Sequence, residues 1–212
     1  NAVERNRSRR VIRAAYSEIE NKIQGNYDFV FVARSRTKYQ KSTQIAQLML
    51  SQLKENIVHG TKEYPYEQYY LRNINHAFQV PVHWHEQVEI IYVEEGNLRV
   101  KIGDSEFEGT KGDLFFVNPR ELHLMGSADG RVRYYTLLFP MEFISFQTMD
   151  NLEKKLLLPL RSNQLLFPKV IEDCALRQEL ISEVKEVIEI NKNIRHFSTD
   201  EIELSEYHIE TR

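Results

Sequence analysis

VPVHWHEQVEIIYVEEG, residues 80–96, sets two histidines and a glutamate at even spacing in a run of β-branched and aromatic residues. On a strand, residues two apart share a face. His83, His85 and Glu89 are therefore predicted to point the same way as Ile91 and Val93. A carboxylate among aliphatic side chains is costly unless paired, so Glu89 requires a metal, a histidine, an arginine or a polar ligand. A fourth candidate lies in GDLFFVNPRELH, residues 112–123, where Gly112 and Pro119 set a turn and His123 opens the next strand. Three imidazoles and one carboxylate suit Zn, Fe, Mn, Ni or Cu, and such a set leaves coordination positions open for another molecule.

Around this stretch the periodicity is that of short strands with turn punctuation. VEIIYVE is followed by a Glu95-Gly96-Asn97 turn, LRVKI, a Gly103-Asp104 turn, SEFEG, LFFVNP and RVRYYTLLF. Strands at such close intervals predict an antiparallel sandwich or barrel. After Pro140 the pattern becomes helical. Leu176, Leu180, Val184, Val187 and Ile188 mark an amphipathic helix over about 173–191. That stripe is predicted to bury itself in a dimer, with packing on its own barrel as the alternative. The segment 197–212 is polar and is assigned no structure.

The front of the chain reads differently. Ile12, Tyr16, Ile19 and Ile23 have helical spacing over about 2–24, with Arg9, Arg10 and Arg13 along one flank and Gly25-Asn26 as the stop. YDFVFVAR, residues 27–34, is predicted as a strand, and residues 41–55 as a second helix with Ile45, Leu48, Leu50 and Leu53 apolar. One strand and two helices cannot complete a domain. The apolar seam of the first helix is left to be buried on the barrel, on a second chain, or not at all. Residues 1–10 are expected to be disordered.

The composition, 42% hydrophobic and 28% charged over 212 residues, is that of a soluble globular protein. Its net charge of −3 is unevenly spread: residues 1–41 carry +6 and the remainder −9. Such asymmetry points to a nucleic-acid-facing front. No apolar run reaches the roughly 20 residues that span a bilayer, and no apolar core follows the basic front to make a secretory leader. The lone Cys174 is read as a reduced, inert core thiol. The expectation is a cytoplasmic protein without membrane contact.

The spacing His-x-His-x3-Glu-x6-Gly at residues 83–96, with Gly-x6-Pro-x3-His at residues 112–123, resembles the two cupin motifs. That resemblance implies a double-stranded β-helix barrel with His83, His85, Glu89 and His123 as the metal set of metallocupins. Glu121 departs from it, standing where many cupins have glycine. LKENIVHGTKEYPYEQYY, HWHEQVEIIYVEEG and KGDLFFVNPRELH more closely resemble the N-terminal effector-binding cupin of AraC-type transcription regulators, over about 53–193. This implies a small-molecule effector such as a sugar or related metabolite, bound at the same four residues, and dimerisation through the following helices. Many members of that family bind no metal. Their helix-turn-helix half is not matched here, so no DNA contact by this chain alone is expected.

AVERNRSRRVIR, at the front, resembles the arginine-rich motif of the bacterial ribonuclease P protein component through Ala2, Val3, Arg5, Asn6, Arg9, Arg10 and Arg13. The likeness extends over about 1–52 and corresponds to the C-terminal half of that family. It implies RNA contact by Arg5, Asn6, Arg9, Arg10 and Arg13, since clustered guanidiniums bind phosphates bidentately. The expected organisation is a basic α-β-α fragment at 1–52, a mainly β cupin barrel at 53–148, and a helical dimerisation region and tail at 149–212. The expected function is effector sensing, with no catalytic residue assigned. A metal-dependent cupin enzyme and an RNA-binding component of ribonuclease P are the alternatives.

Overall fold

Strand β3, Val88–Gly96, is buried on both faces, and the barrel is built around it. The computed structural model describes residues 2–20, 29–73, 76–146 and 150–194. Ile91 and Val93 point inward, where they join Leu98, Val100, Ile102, Phe115, Val117, Met125, Val132 and Tyr134 in one contiguous core. Tyr92 and Ile90 point outward against a helix. This is the period-2 alternation of a central strand covered on both sides.

The other strands are β1 Glu67–Asn73, β2 Phe78–His83, β4 Leu98–Ile102, β5 Ser105–Gly109, β6 Leu114–Val117, β7 His123–Ser127 and β8 Val132–Phe139. They form two four-stranded antiparallel sheets, ordered β1-β8-β3-β6 and β2-β7-β4-β5. The two enclose the apolar core as a cupin-type barrel flanked by helices. Gly96 makes the β3–β4 turn at φ +84°, a conformation side chains other than glycine's resist. A Cβ there would also lie against the Arg131 carbonyl.

The even spacing of residues 83–89 does not arise from one continuous strand. β2 ends at His83, and the chain turns before β3 begins at Val88. Between Val80 and His83 the register with β7 shifts, with Val80 opposite Met125 and His83 opposite His123. One extra residue on β2 makes this a bulge, which resets the alternation. Phe78 and Val80 pack into the core before it, and afterwards the odd residues His83 and His85 turn inward.

Helix α1, Ala2–Ile19, and helix α2, Ser42–Leu53, pair as a hairpin on the outer surface of this region. Ala15, Ile19, Ala46 and Met49 are buried with Leu122, and Ile12, Ile45, Val82 and Trp84 pack against them. The first helix's seam is therefore buried on the barrel. Residues 2–10 are helical rather than disordered. The predicted strand at 27–34 is not one: residues 29–34 have no regular structure, and residues 27–28 lie outside the described set. Val30 and Val32 are exposed there, and among the described residues no neighbouring strand offers hydrogen bonds to fix an extended conformation. Leu48 faces outward, with Ala46 and Met49 taking the buried positions assigned to it. The predicted stop at Gly25-Asn26 and the segment 197–212 lie outside the described residues.

Beyond β8, a 3-10 turn at Met141–Ile144, a π-helical turn at Glu153–Leu157 and the short helix α3, Leu158–Arg161, cover Val88 through Met141, Leu157 and Leu160. Helix α4, Cys174–Ile194, lays Ile181, Val184 and Ile188 on Tyr66, Tyr92, Leu114, Phe116, Tyr135 and Leu137 of its own barrel. Leu176, Val187 and Ile190 stay exposed on its other side. Cys174 is exposed, not a core thiol, because it opens the helix before its packed face begins. Among the described residues, no helix is long and apolar enough to cross a membrane.

Gly96→Ala should destabilise the barrel by on the order of 2–3 kcal/mol, the sum of left-handed strain and displacement of the Arg131 backbone. Urea denaturation monitored by the fluorescence of Trp84 measures this, and an unchanged midpoint would remove the assigned role of the turn.

Candidate functional site

His83, His85, Glu89 and His123 converge at one mouth of the barrel. His123 is fully buried, His85 and Glu89 nearly so, and His83 is half-buried. Glu89 comes from the β1-β8-β3-β6 sheet, and His83 and His123 face each other across the β2–β7 pair of the other. The site thus bridges both sheets. The His123 ring lies 4.1 Å from that of His83 and 4.9 Å from that of His85, centre to centre.

The backbone fixes how each ring presents itself. Nδ1 of His83 lies 2.8 Å from the Pro81 carbonyl, that of His85 3.1 Å from Gln87 O, and that of His123 2.9 Å from Glu121 O. A carbonyl only accepts, so each Nδ1 carries the proton and donates it. All three Nε2 atoms are thereby directed inward, and the three histidines offer ligand atoms within 4.8 Å of one another. Glu89 Oε2 stands 3.1 Å from His85 Nε2 and 3.0 Å from His123 Nε2. In neutral rings those contacts set lone pairs against a carboxylate. Protons or a cation must lie between them.

The turn that delivers His123 is built around the departure at Glu121. Its carboxylate accepts from the Asn118 backbone and side-chain amides at 3.4 and 3.2 Å, and pairs with Lys169 at 3.2 Å. Arg120 takes a left-handed φ of 65° and donates its N–H to His85 O at 2.7 Å. That bond ties the two histidine-bearing segments together.

Three further residues belong to this mouth. Glu55 Oε2 is 2.9 Å from His59 Nε2 and 4.0 Å from His83 Nε2, and His59 Nδ1 is 3.0 Å from the Tyr69 hydroxyl. Glu55 and His59 come from the irregular segment between α2 and β1, where no periodicity exposes them. Their i, i+4 spacing within ENIVH was the available signal.

Burial alone would raise the Glu89 carboxyl, but the close contacts with His123 and His85 outweigh it and hold the group well below the carboxylate range. Glu55 is likewise depressed: burial opposes, while His59 and the charge of His83 prevail. Burial would lower His123, yet its bond to Glu89 raises it. Burial and the neighbouring His123 push His83 down to about 4.

The residues predicted for RNA are not part of this cluster. Arg5, Asn6, Arg9, Arg10 and Arg13 are all exposed on α1. Arg5, Arg9 and Arg13 line a groove of about 660 Å³ with Phe31, Arg34 and Lys38, whereas Asn6 and Arg10 do not.

Residues 65–186, more than half of the chain, match the AraC-like ligand binding domain, and the protein belongs to that family. Residues 1–56 match the ribonuclease P family. The chain is 30% identical over 143 residues to the uncharacterized HTH-type transcriptional regulator YbfI of Bacillus subtilis, covering 62% of this chain and 50% of that protein. To YdeC, another uncharacterized HTH-type transcriptional regulator of that organism, it is 31% identical over 81 residues, 37% of this chain and 27% of the other. The chain thus spans half or less of these relatives' length. Among solved structures, a cupin superfamily protein from Desulfitobacterium hafniense is similar, with a TM-score of 0.30 at 12% identity, over 32% of this chain and 62% of that one.

The two shifted histidines set a pH dependence in the presence of chelator. His83 has a folded value near 4 against an ordinary 6.5, so only the unfolded chain takes up its proton between those values. Its contribution to stability is present above about 6.5 and is lost as pH falls toward 4, by on the order of 2–3 kcal/mol. His123, raised above 6.5, contributes fully below that value and loses its contribution as pH climbs through the folded one. Together they place a stability maximum near pH 6.5. His83→Gln should flatten the acid limb of melting temperature against pH, and an acid limb identical to wild type would disprove the assignment.

Proposed function

We propose that this chain is the effector-sensing module of an AraC-type transcription regulator, and that His83, His85, Glu89 and His123 hold a divalent transition metal at which the effector docks. The observation that supports this most directly is the set of three Nδ1–H groups anchored on the Pro81, Gln87 and Glu121 carbonyls, which leaves the Nε2 atoms of His85 and His123 on Glu89 and the three rings with ligand atoms within 4.8 Å of one another. Outer partners of this kind orient imidazole ligands in metal sites. The donor set fits Zn, Ni, Fe, Mn or Cu. A bound metal supplies a Lewis-acidic point at which an oxygen-bearing metabolite is oriented. The barrel below is filled by Ile91, Val117, Met125 and Tyr134, so the effector is read at the mouth, where the Tyr69 hydroxyl offers a polar contact.

Signalling to a second copy runs, on this reading, through α4. Its inner face is committed to the barrel, and Leu176, Val187 and Ile190 are exposed to meet a partner helix. Sedimentation should give a dimer at micromolar concentration.

Elemental analysis of purified protein should find about one transition-metal ion per chain. After dialysis against a chelator, His85→Ala should retain metal at least about tenfold more weakly than wild type. Metal-free wild type that takes up no ion on titration would sink the metal centre.

The groove on α1 favours a second activity, binding of RNA through phosphates. Three arginines one helical turn apart, with Arg34 and the Phe31 ring, make a cationic channel with an aromatic wall, in which Lys38 is paired with Glu4. Binding should weaken with salt. Arg9→Ala and Arg13→Ala each remove one cation that faces a phosphate, and each should flatten the slope of log affinity against log salt by about 0.7–0.9. Slopes unchanged in the double variant would place any RNA binding elsewhere.

A further inference from the structure

Glu55 reaches the site from outside the barrel. The segment leaving α2 runs beside the residue between the two strand-end histidines: Trp84 N donates to Leu53 O, and Glu55 N to Trp84 O, both at 2.9 Å. This parallel bridge sets the Glu55 carboxylate 4.0 Å from His83 Nε2. Its partner there is not the cluster but His59, at 2.9 Å. His59 is itself buried and braced by the Tyr69 hydroxyl. A half-buried carboxylate has thus been carried to a mouth that already contains one. The oxygen that His59 holds also lies beside His83, the most exposed histidine of the cluster.

We propose that Glu55 is a fifth donor of the cation site, held by His59 beside His83, and that it sets the charge of the ligand the site accepts. The proposal rests on the metal reading given above. Its consequence follows from counting charge. Three neutral imidazoles, Glu89 and a divalent ion leave a net +1, which attracts anionic ligands. With Glu55 ionised beside them the net is zero. A unit charge at such close range in a partly buried site acts far more strongly than the same charge in bulk water. The mouth therefore disfavours carboxylate- or phosphate-bearing molecules and admits uncharged oxygen donors such as polyols. The Tyr69 hydroxyl, on the same side, is a polar group such a molecule meets.

Co2+ is a suitable probe because its visible absorption reports coordination number and donor set independently of any activity. Wild type should bind one Co2+, with a spectrum unmoved by millimolar acetate. Glu55→Gln, which preserves size and a hydrogen-bond acceptor for His59, should bind Co2+ at least tenfold more weakly. Its spectrum should differ from wild type and shift on adding acetate. If that variant does not fold by circular dichroism, Glu55→Asp, one methylene shorter, should give the same changes in affinity and spectrum. A folded variant with wild-type affinity, spectrum and indifference to acetate overturns the role of Glu55 while leaving the four-residue centre standing. Wild type that binds no Co2+ overturns both.

Discussion

A buried carboxylate facing two imidazoles is the constraint on which the mouth of this barrel depends. Glu89 cannot remain ionised among Ile91, Val93 and Val117 without His85 and His123, and neither ring can meet it without the backbone that fixes its other nitrogen. Replacing one of them leaves a desolvated charge unpaired. The arrangement also joins the two sheets: Glu89 belongs to one and His123 to the other. Its geometry is therefore tied to closure of the barrel.

The supports of this cluster are main-chain groups. Pro81 and Glu121 lie two residues before His83 and His123, and Gln87 two residues after His85, so each ring is held by the local path of its own segment. The bulge in β2 and the left-handed Arg120 are the two irregularities that shape those paths. Strain is sustained at such positions when the surroundings over-determine it. Here the surroundings are the Arg120–His85 backbone bond and the Glu121–Lys169 pair.

Strand positions β4, β5 and the start of β7 were legible because turns punctuate a strict alternation, and alternation follows from one face on the core and the other in solvent. The four-residue cluster was legible from spacing and from likeness to a family, though the alternation invoked for it is interrupted. A bulge before His83 and a turn after His85 happen to preserve the parity that a straight strand implies. Other features left no such trace. The aromatic and β-branched run of residues 29–34 reads as a strand because propensity records fitness for a pleated, half-buried surface, but it says nothing of whether a neighbour exists to pair with. Glu55 and His59 were missed because their segment has no period. The α4 stripe was only half resolved: Leu180, Val184 and Ile188 face the barrel, Leu176 and Val187 do not, and the boundary between those faces depends on where the barrel lies.

The two unlike halves of the chain meet on a single strand layer. Val82, Trp84 and Leu122 point outward into the helical hairpin, while His83, His85 and His123, their sequence neighbours, point inward to the site. Any shift of the inward residues moves the outward ones, since adjacent side chains share one backbone. The coupling is reinforced on the surface, where Glu86, next to His85, pairs with Lys54 at the end of α2 at 3.3 Å and with Arg120 at 2.6 Å. Such exposed pairs contribute little energy singly, but they span the same junction as the backbone bridge at Trp84. The basic helix α1 packs on α2, and α2 ends at the bridge. A displacement of the mouth thus moves the layer that seats the basic hairpin, through contacts made by neighbouring residues of one strand.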